Sequence, residues 1–358
     1  MKLEKDRLRA KVENLESNLA QLKDDGAPVK GNTTEASAFG DSPTKTQISH
    51  ISKGGSPGKA SSINALKAAQ MSKETVIPKQ TNIPSKDPPN PYLYEEFEPM
   101  NTHMSNIKTA EGHMAGITSV AFHPKKEMIA TGSDDTCWKL WSVPSGDLIM
   151  SGEGHSDWTG GVSFHPAGNF LATASGDGCV KLWDFANAKN QRTYTEHGQP
   201  VWKCDFHHSG DFLISCSMDH TVKLWDMALE KKSRFTFRGH HDSVNSIDWK
   251  PYSCCFASGS SDQTVSIWDI RTKLCVSTFY GHDQSVNSVK FNLRGELVVS
   301  ADADGVSKVW DVRKMSELLQ VDSGPSGANC AMFDKSNKFL LVATSESSNI
   351  QIWNVQTN

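Results

Sequence analysis

The sequence predicts an all-β fold, a β-propeller with six recognisable four-stranded blades, set behind a short helix and a polar tether. Three observations carry this reading. Six tryptophans, Trp141, Trp183, Trp225, Trp268, Trp310 and Trp353, recur at separations of 42, 42, 43, 42 and 43 residues. Five histidines keep the same step, and each lies 22 residues before an aspartate that is itself six residues before its tryptophan. Between these marks, stretches such as LATASGDGCVKLWD and FASGSSDQTVSIWD alternate apolar and polar residues around Asp-containing turns. That is the pattern of half-buried strands joined by hairpins. A fixed period of this length marks repeat units that bury their apolar faces only against neighbours.

The elements follow in order. Residues 1–25 read as a helix. Leu8, Leu15 and Leu22 recur every seven residues, and Val12 and Leu19 fill the alternate positions. This is a coiled-coil seam with charged flanks, and it predicts a homodimer contact. Residues 26–93 read as a disordered linker rich in Ser, Pro and Lys. It holds eight lysines against four acidic residues, a charge of +4, and no apolar cluster. Such a segment cannot bury enough surface to offset its ordering entropy. SPTK at Ser42–Lys45 and SPGK at Ser56–Lys59 would suit a proline-directed kinase. Residues 94–358 are the propeller.

Composition narrows the function classes. The chain has 358 residues, a formal charge of −4 and a pI near 6.4. That balance argues against nucleic-acid binding, which needs a basic footprint. No apolar run is long enough to span a membrane, and MKLEKDRLRAK has no apolar region behind it to make a signal peptide. Cytosolic, reduced cysteines are expected, because none of the eight forms a C-x-x-C pair.

The G-H and W-D marks at this period resemble the WD-repeat family. The resemblance covers the whole of 94–358 and implies a structural tetrad in each blade. The tetrads it assigns are His113, Thr131, Asp135 and Trp141; His155, Thr173, Asp177 and Trp183; His197, Ser215, Asp219 and Trp225; His240, Ser258, Asp262 and Trp268; His282, Ser300, Asp304 and Trp310. In that family the aspartate sits in the turn between the middle strands and accepts from the histidine, and the hydroxyl and indole extend the chain. A buried carboxylate and imidazole must be paired or they cost several kcal/mol.

A His-Asp-Ser set also invites a catalytic-triad reading, but a catalytic site is needed once and this set repeats five times. No catalytic, metal or cofactor site is predicted. His123, His165, His207 and His208 read as strand caps, not metal ligands. The sixth unit departs from the pattern, since counting back from Trp353 puts Ser347 at the aspartate and Pro325 at the histidine. Asn106–Ala110 resembles the outer strand that precedes each G-H, which in propellers completes the last blade. Six blades could therefore close directly, or a seventh could be missing.

Propeller geometry also points to a binding face. Residues three and five after each histidine, and the residue before each tetrad aspartate, tend to face the narrow top. The partner-binding residues predicted there are Trp158, Trp202, Met218, Asp134, Asn245 and Asn287. Trp158 and Trp202 are singled out because neighbouring repeats hold small residues at those positions. Exposed aromatics beside a methionine make an interaction hot spot.

At a finer level, GHSDWTGGVSFHPAGNFLATASGDGCVKLWD, GHHDSVNSIDW, ADADGVSKVWDVRK and the aberrant sixth unit resemble the sperm-associated antigen 16 family of ciliary WD-repeat proteins. That resemblance implies a non-catalytic scaffold in the central apparatus of motile cilia, with axonemal or microtubule-associated protein partners. An adaptor of the Atg16 type, with the same order of coil, linker and propeller, is the alternative.

Overall fold

The structure is a computed structural model that describes residues 80–358 except 102–105, 107, 186–188, 230, 346–349 and 356–358. The helix expected over 1–25 and residues 26–79 of the linker lie outside the described residues. The described part is all-β apart from one 3-10 turn at Pro91–Leu93.

Among the described residues twenty-three strands form six antiparallel sheets. Blade one holds β1 (Ile117–Phe122), β2 (Met128–Ser133), β3 (Trp138–Ser142) and β4 (Leu148–Gly152). Blade two holds β5 (Thr159–Phe164), β6 (Phe170–Ser175), β7 (Val180–Asp184) and β8 (Lys189–Tyr194). Blade three holds β9 (Val201–Phe206), β10 (Phe212–Ser217), β11 (Val222–Asp226) and β12 (Ser233–Phe237). Blade four holds β13 (Val244–Trp249), β14 (Cys255–Ser260), β15 (Val265–Asp269) and β16 (Leu274–Phe279). Blade five holds β17 (Val286–Phe291), β18 (Leu297–Asp302), β19 (Val306–Asp311) and β20 (Ser316–Asp322). Blade six has three strands, β21 (Ala328–Phe333), β22 (Phe339–Thr344) and β23 (Ile350–Asn354).

The core lies between blades. From blade two onward the fourth and sixth residues of the inner strand, such as Val162 and Phe164, pack on the middle strands of the blade before, here Ala130, Trp138 and Leu140. The same contact repeats with Phe206, Trp249, Phe291 and Phe333. A large apolar side chain buried in this way is worth about 2–3 kcal/mol. The inner strands pack in sequence from β1 to β21, and no comparable packing joins β21 back to β1.

The seam between the first and last blades is therefore open. Val120 and Phe122, equivalent to Val162 and Phe164, are 59% and 75% exposed. On the other flank Leu341, Ala343 and Ile352 are only half-buried, whereas their blade-five equivalents Val299, Ala301 and Val309 are fully buried. Asn106–Ala110 forms no described strand, and Lys108 lies beside Gly146 in the β3–β4 turn rather than on β23. Of the two arrangements expected from the sequence, direct closure of six blades is not seen, and among the described residues no fourth strand pairs with β23.

Part of the predicted linker is ordered against the propeller. Thr81 donates through its backbone and hydroxyl to the Asp226 carboxylate at 2.8 and 2.7 Å. Asp87 accepts from the Ser253 hydroxyl at 2.7 Å and from the Cys254 amide at 3.0 Å, and it pairs with Arg271. Asn90 donates to the carbonyls of Leu293 and Arg294, and the ring of Tyr92 meets that of Tyr252. Met100 donates to Asp334. The linker assignment thus fails for residues 81–93. Short polar side chains that look solvated in the sequence instead find fixed partners on the turns of blades three to five. Prolines at 84, 88, 89 and 91 favour the extended path between them.

Cys204, Cys216 and Cys254 are buried, and burial pushes the Cys216 thiol up to about 12 and Cys254 up to about 11. Cys275 and Cys330, by contrast, are exposed.

Candidate protein-docking site

The turn chemistry that shapes the top face starts at the tetrads. In blade three, His197 Nδ1 donates to Asp219 Oδ2 at 2.7 Å. The Ser215 hydroxyl donates to His197 Nε2 and accepts from Trp225 Nε1, each at 2.8 Å. Blades one, two and four repeat this chain through His113, His155 and His240. Burial works against the charge of Asp177, Asp219 and Asp262, but hydrogen bonds from His155, His197 and His240, with turn amides, hold them well below the usual carboxylate range. The hydroxyls that lie beside the histidines are buried, so no substrate reaches them.

Blade five corrects the sequence assignment. His282 Nδ1 meets Asp302 Oδ2 at 2.8 Å, not Asp304, which is exposed. In blades one to four a serine stands at this position, and Ser133, Ser175, Ser217 and Ser260 accept the amide of the tetrad aspartate. Asp302 does both jobs, because its Oδ1 accepts from the Asp304 and Val306 amides. The D-A-D of this unit, in place of S-x-D, is the signal the residue count passed over. The turn is completed by Gly305 at φ +87°, where a Cβ would run into the carbonyls of Gly324 and Ser326.

Blade six shows no tetrad among its described residues. Measured from the inner strand, Gly324 rather than Pro325 stands at the histidine position, since His282 lies nine before Phe291 as Gly324 does before Phe333. Val342 pairs with Gln351 as Ser300 pairs with Lys308, so an apolar side chain stands where the hydroxyl belongs. The Trp353 indole donates to Gln351 instead. Ser347 lies outside the described residues.

The second residue of each inner strand is bulged out of register: Thr118, Gly160, Trp202, Asn245, Asn287 and Asn329. A bulge re-aims its side chain, and here these residues line a central cavity of about 1010 Å³. Three of them reach the next blade through a carbonyl. Thr118 donates to Thr159, Asn245 to Val286 at 3.0 Å, and Asn287 to Ala328 at 3.3 Å. Asn245 also donates to Ser261 and Ser285. These bonds make Asn245 and Asn287 staples between blades as well as lining residues.

Trp202 follows the same rule with a different donor, its indole N–H reaching Ser243 Oγ at 2.9 Å. Trp158 fits because blade two has glycine where others have side chains. A Cβ at Gly160 would lie 2.5 Å from the Trp158 ring, and one at Gly176 would lie 2.6 Å from it. In that notch Trp158 stacks on Trp202, with ring centroids 4.9 Å apart and planes at 28°. Trp202 remains 36% exposed. Asp134 lines the same cavity mouth. Met218 stands outside the lining but is 46% exposed, and its amide is tied to the Pro200 carbonyl. The pair is fixed in place before any partner arrives.

The strand-capping histidines serve the opposite face. His123 and His165 each donate through Nε2 to a carbonyl of the next blade, Gly168 and Gly210. His207 donates likewise to Ser253, and burial lowers its pKa to about 4.

Comparison with known proteins adds the lineage. The family model described as WD domain, G-beta repeat matches residues 104–142, 146–184, 188–226, 231–269 and 273–311. A flagellar WD repeat-containing protein, Pf20, of Chlamydomonas reinhardtii is 40% identical over 157 residues, 42% of this chain and 26% of that protein. A probable E3 ubiquitin ligase complex SCF subunit, sconB, of Emericella nidulans is 45% identical over 49 residues, 14% of this chain and 7% of that protein. The match to the flagellar protein thus spans about a quarter of its length. WD propellers are typically interaction scaffolds. With five repeat matches covering more than half of the chain, and strands and tetrads at the matched positions, the chain belongs to the WD-repeat family.

Proposed function

We propose that this chain is a non-catalytic docking scaffold of the motile cilium, a component of the central apparatus that holds an axonemal protein on its top face. The observation that carries the docking role is the Trp158–Trp202 stack at the cavity mouth, pre-positioned and partly exposed. Rigid aromatics of this kind give binding energy at little entropic cost. Similarity to a flagellar WD-repeat protein supports the ciliary setting.

The test is localisation of the tagged chain in a motile ciliated cell, beside a Trp158→Ala, Trp202→Ala variant. Signal along the central pair, lost in the variant, is the expected result. Signal absent from cilia, or gathered on forming autophagosomes, would overturn the ciliary reading and leave a WD-repeat adaptor of another pathway.

A further inference from the structure

The tryptophan stack sits in a rim of one sign, above a cavity whose lining includes Lys203 and Lys290, the latter paired with Asp248. The top face is built from residues 112–118, 134–137, 154–160, 176–179, 197–202, 218–221, 239–245, 261–264, 281–287 and 302–305, and these segments contain no Lys or Arg. They contain exposed Asp134, Asp157, Asp242, Asp283 and Asp304, spread over four blades. The tetrad carboxylates Asp135, Asp177, Asp219 and Asp262 stay ionised beneath them. His220 and His241 are the exposed basic groups on this face.

Backbone bonds fix the top loops of each blade. In blades one to four the residue before the tetrad aspartate donates to the residue three after the tetrad histidine, Asp134 to Gly116, Gly176 to Trp158, Met218 to Pro200 and Ser261 to Ser243, and in blade five Ala303, which follows Asp302, donates to Ser285. These bonds fix the top loops within each blade, and the Trp158–Trp202 stack and the Trp202–Ser243 bond link blades two, three and four. Asp157 precedes Trp158 directly and caps its amide at 2.8 Å, which brings a carboxylate beside the stack.

From this we infer that the top face takes a basic segment of a partner protein, an Arg- or Lys-rich stretch with one cationic side chain lying on the Trp158–Trp202 pair. The inference rests on the docking role proposed above and adds the chemistry of the partner. An aromatic face attracts a cation through its quadrupole, most strongly for an indole and a guanidinium. Carboxylates around it supply long-range steering and reject acidic surfaces. Exposed Met218 adds an adaptable apolar contact for the aliphatic stems of such side chains.

The probe is a fluorescent short Arg/Gly peptide titrated against the full chain by anisotropy, beside Glu/Gly and Ser/Gly peptides of the same length. The Arg/Gly peptide is expected to bind, weakening with added salt, and the other two are not. Trp202→Ala should weaken it about tenfold. Asp134→Asn with Asp157→Asn should weaken it several-fold and flatten the salt dependence. Both aspartates are exposed, so these variants keep the test valid even where Trp202→Ala loses its bond to Ser243 and unfolds. Equal binding of the Glu/Gly peptide, or Arg/Gly binding that none of the variants alters, would overturn the inference. Failure of this inference alone has its own signature: no Arg/Gly binding, with ciliary localisation lost in the tryptophan variant and kept in the aspartate variant. Loss of the docking role itself would instead show as localisation unaffected by the tryptophan variant.

Discussion

His282 donates to Asp302, two residues upstream of the aspartate that occupies the matching place in the repeat count. The 2.8 Å contact lies wholly in the interior, with side chains 1% and 3% exposed. Asp304 keeps the family spacing and does nothing for the tetrad.

The two carboxylates should separate cleanly on substitution. Asp302→Ala strands the buried His282 imidazole and removes the acceptor of two turn amides, and should cost about 2–4 kcal/mol. Asp304→Ala should stay within about 0.5 kcal/mol, as for an ordinary surface change. Asp219→Ala in blade three should match Asp302→Ala. Denaturant melts of the three variants check this, and a large loss from Asp304→Ala would contradict the blade-five geometry.

The open seam makes a second comparison. Phe122 and Phe164 hold equivalent places on inner strands, yet they are 75% and 8% exposed. Phe164→Ala should cost about 3–4 kcal/mol through lost burial and the cavity left behind. Phe122→Ala should cost under about 0.5 kcal/mol. Equal losses would mean that the first and last blades pack together in solution.

Acid should destabilise the propeller through the tetrads. Asp177, Asp219 and Asp262 have folded-state pKa values held below the unfolded value. Their contribution is fully present above the unfolded carboxylate value of about 3.9. It is lost as pH falls below that value toward their lower folded-state values, because the unfolded chain takes up protons first. Melting temperature should therefore hold steady above about pH 5 and fall below about pH 4, with Asp219→Asn showing a shallower fall. A melting temperature that does not fall below about pH 4 would contradict the tetrad geometry.

The ordered strap predicts a local effect. Asp87 joins it to Ser253, Cys254 and Arg271, and the carboxylate is partly exposed. Asp87→Ala should speed proteolytic cleavage within residues 80–100 while moving the melting temperature of the propeller by only a few degrees. Unchanged cleavage would mean that the other anchors, Thr81 and Asn90, hold the segment without it.

Repeat spacing alone determined the blades, because strand register ties tryptophan, hydroxyl and histidine together at fixed distances along the chain. It also marked Trp158 and Trp202, which stand out against small residues at the same places in other repeats. Tertiary structure decided what depends on contact across the sequence. Two aspartates two residues apart both lie near His282, and only the path of the turn selects Asp302. Trp158 stacks on Trp202 because glycines at 160 and 176 open a notch between blades, a relation no local pattern encodes. Residues 81–93 look like a solvated linker because the partners of Thr81, Asp87 and Asn90 lie more than a hundred residues away. The sequence left closure of the ring open between two alternatives, and packing at the first and last blades decided against direct closure. Val120 and Phe122 follow the same inner-strand alternation as their buried counterparts, and only the absence of a packed neighbour exposes them.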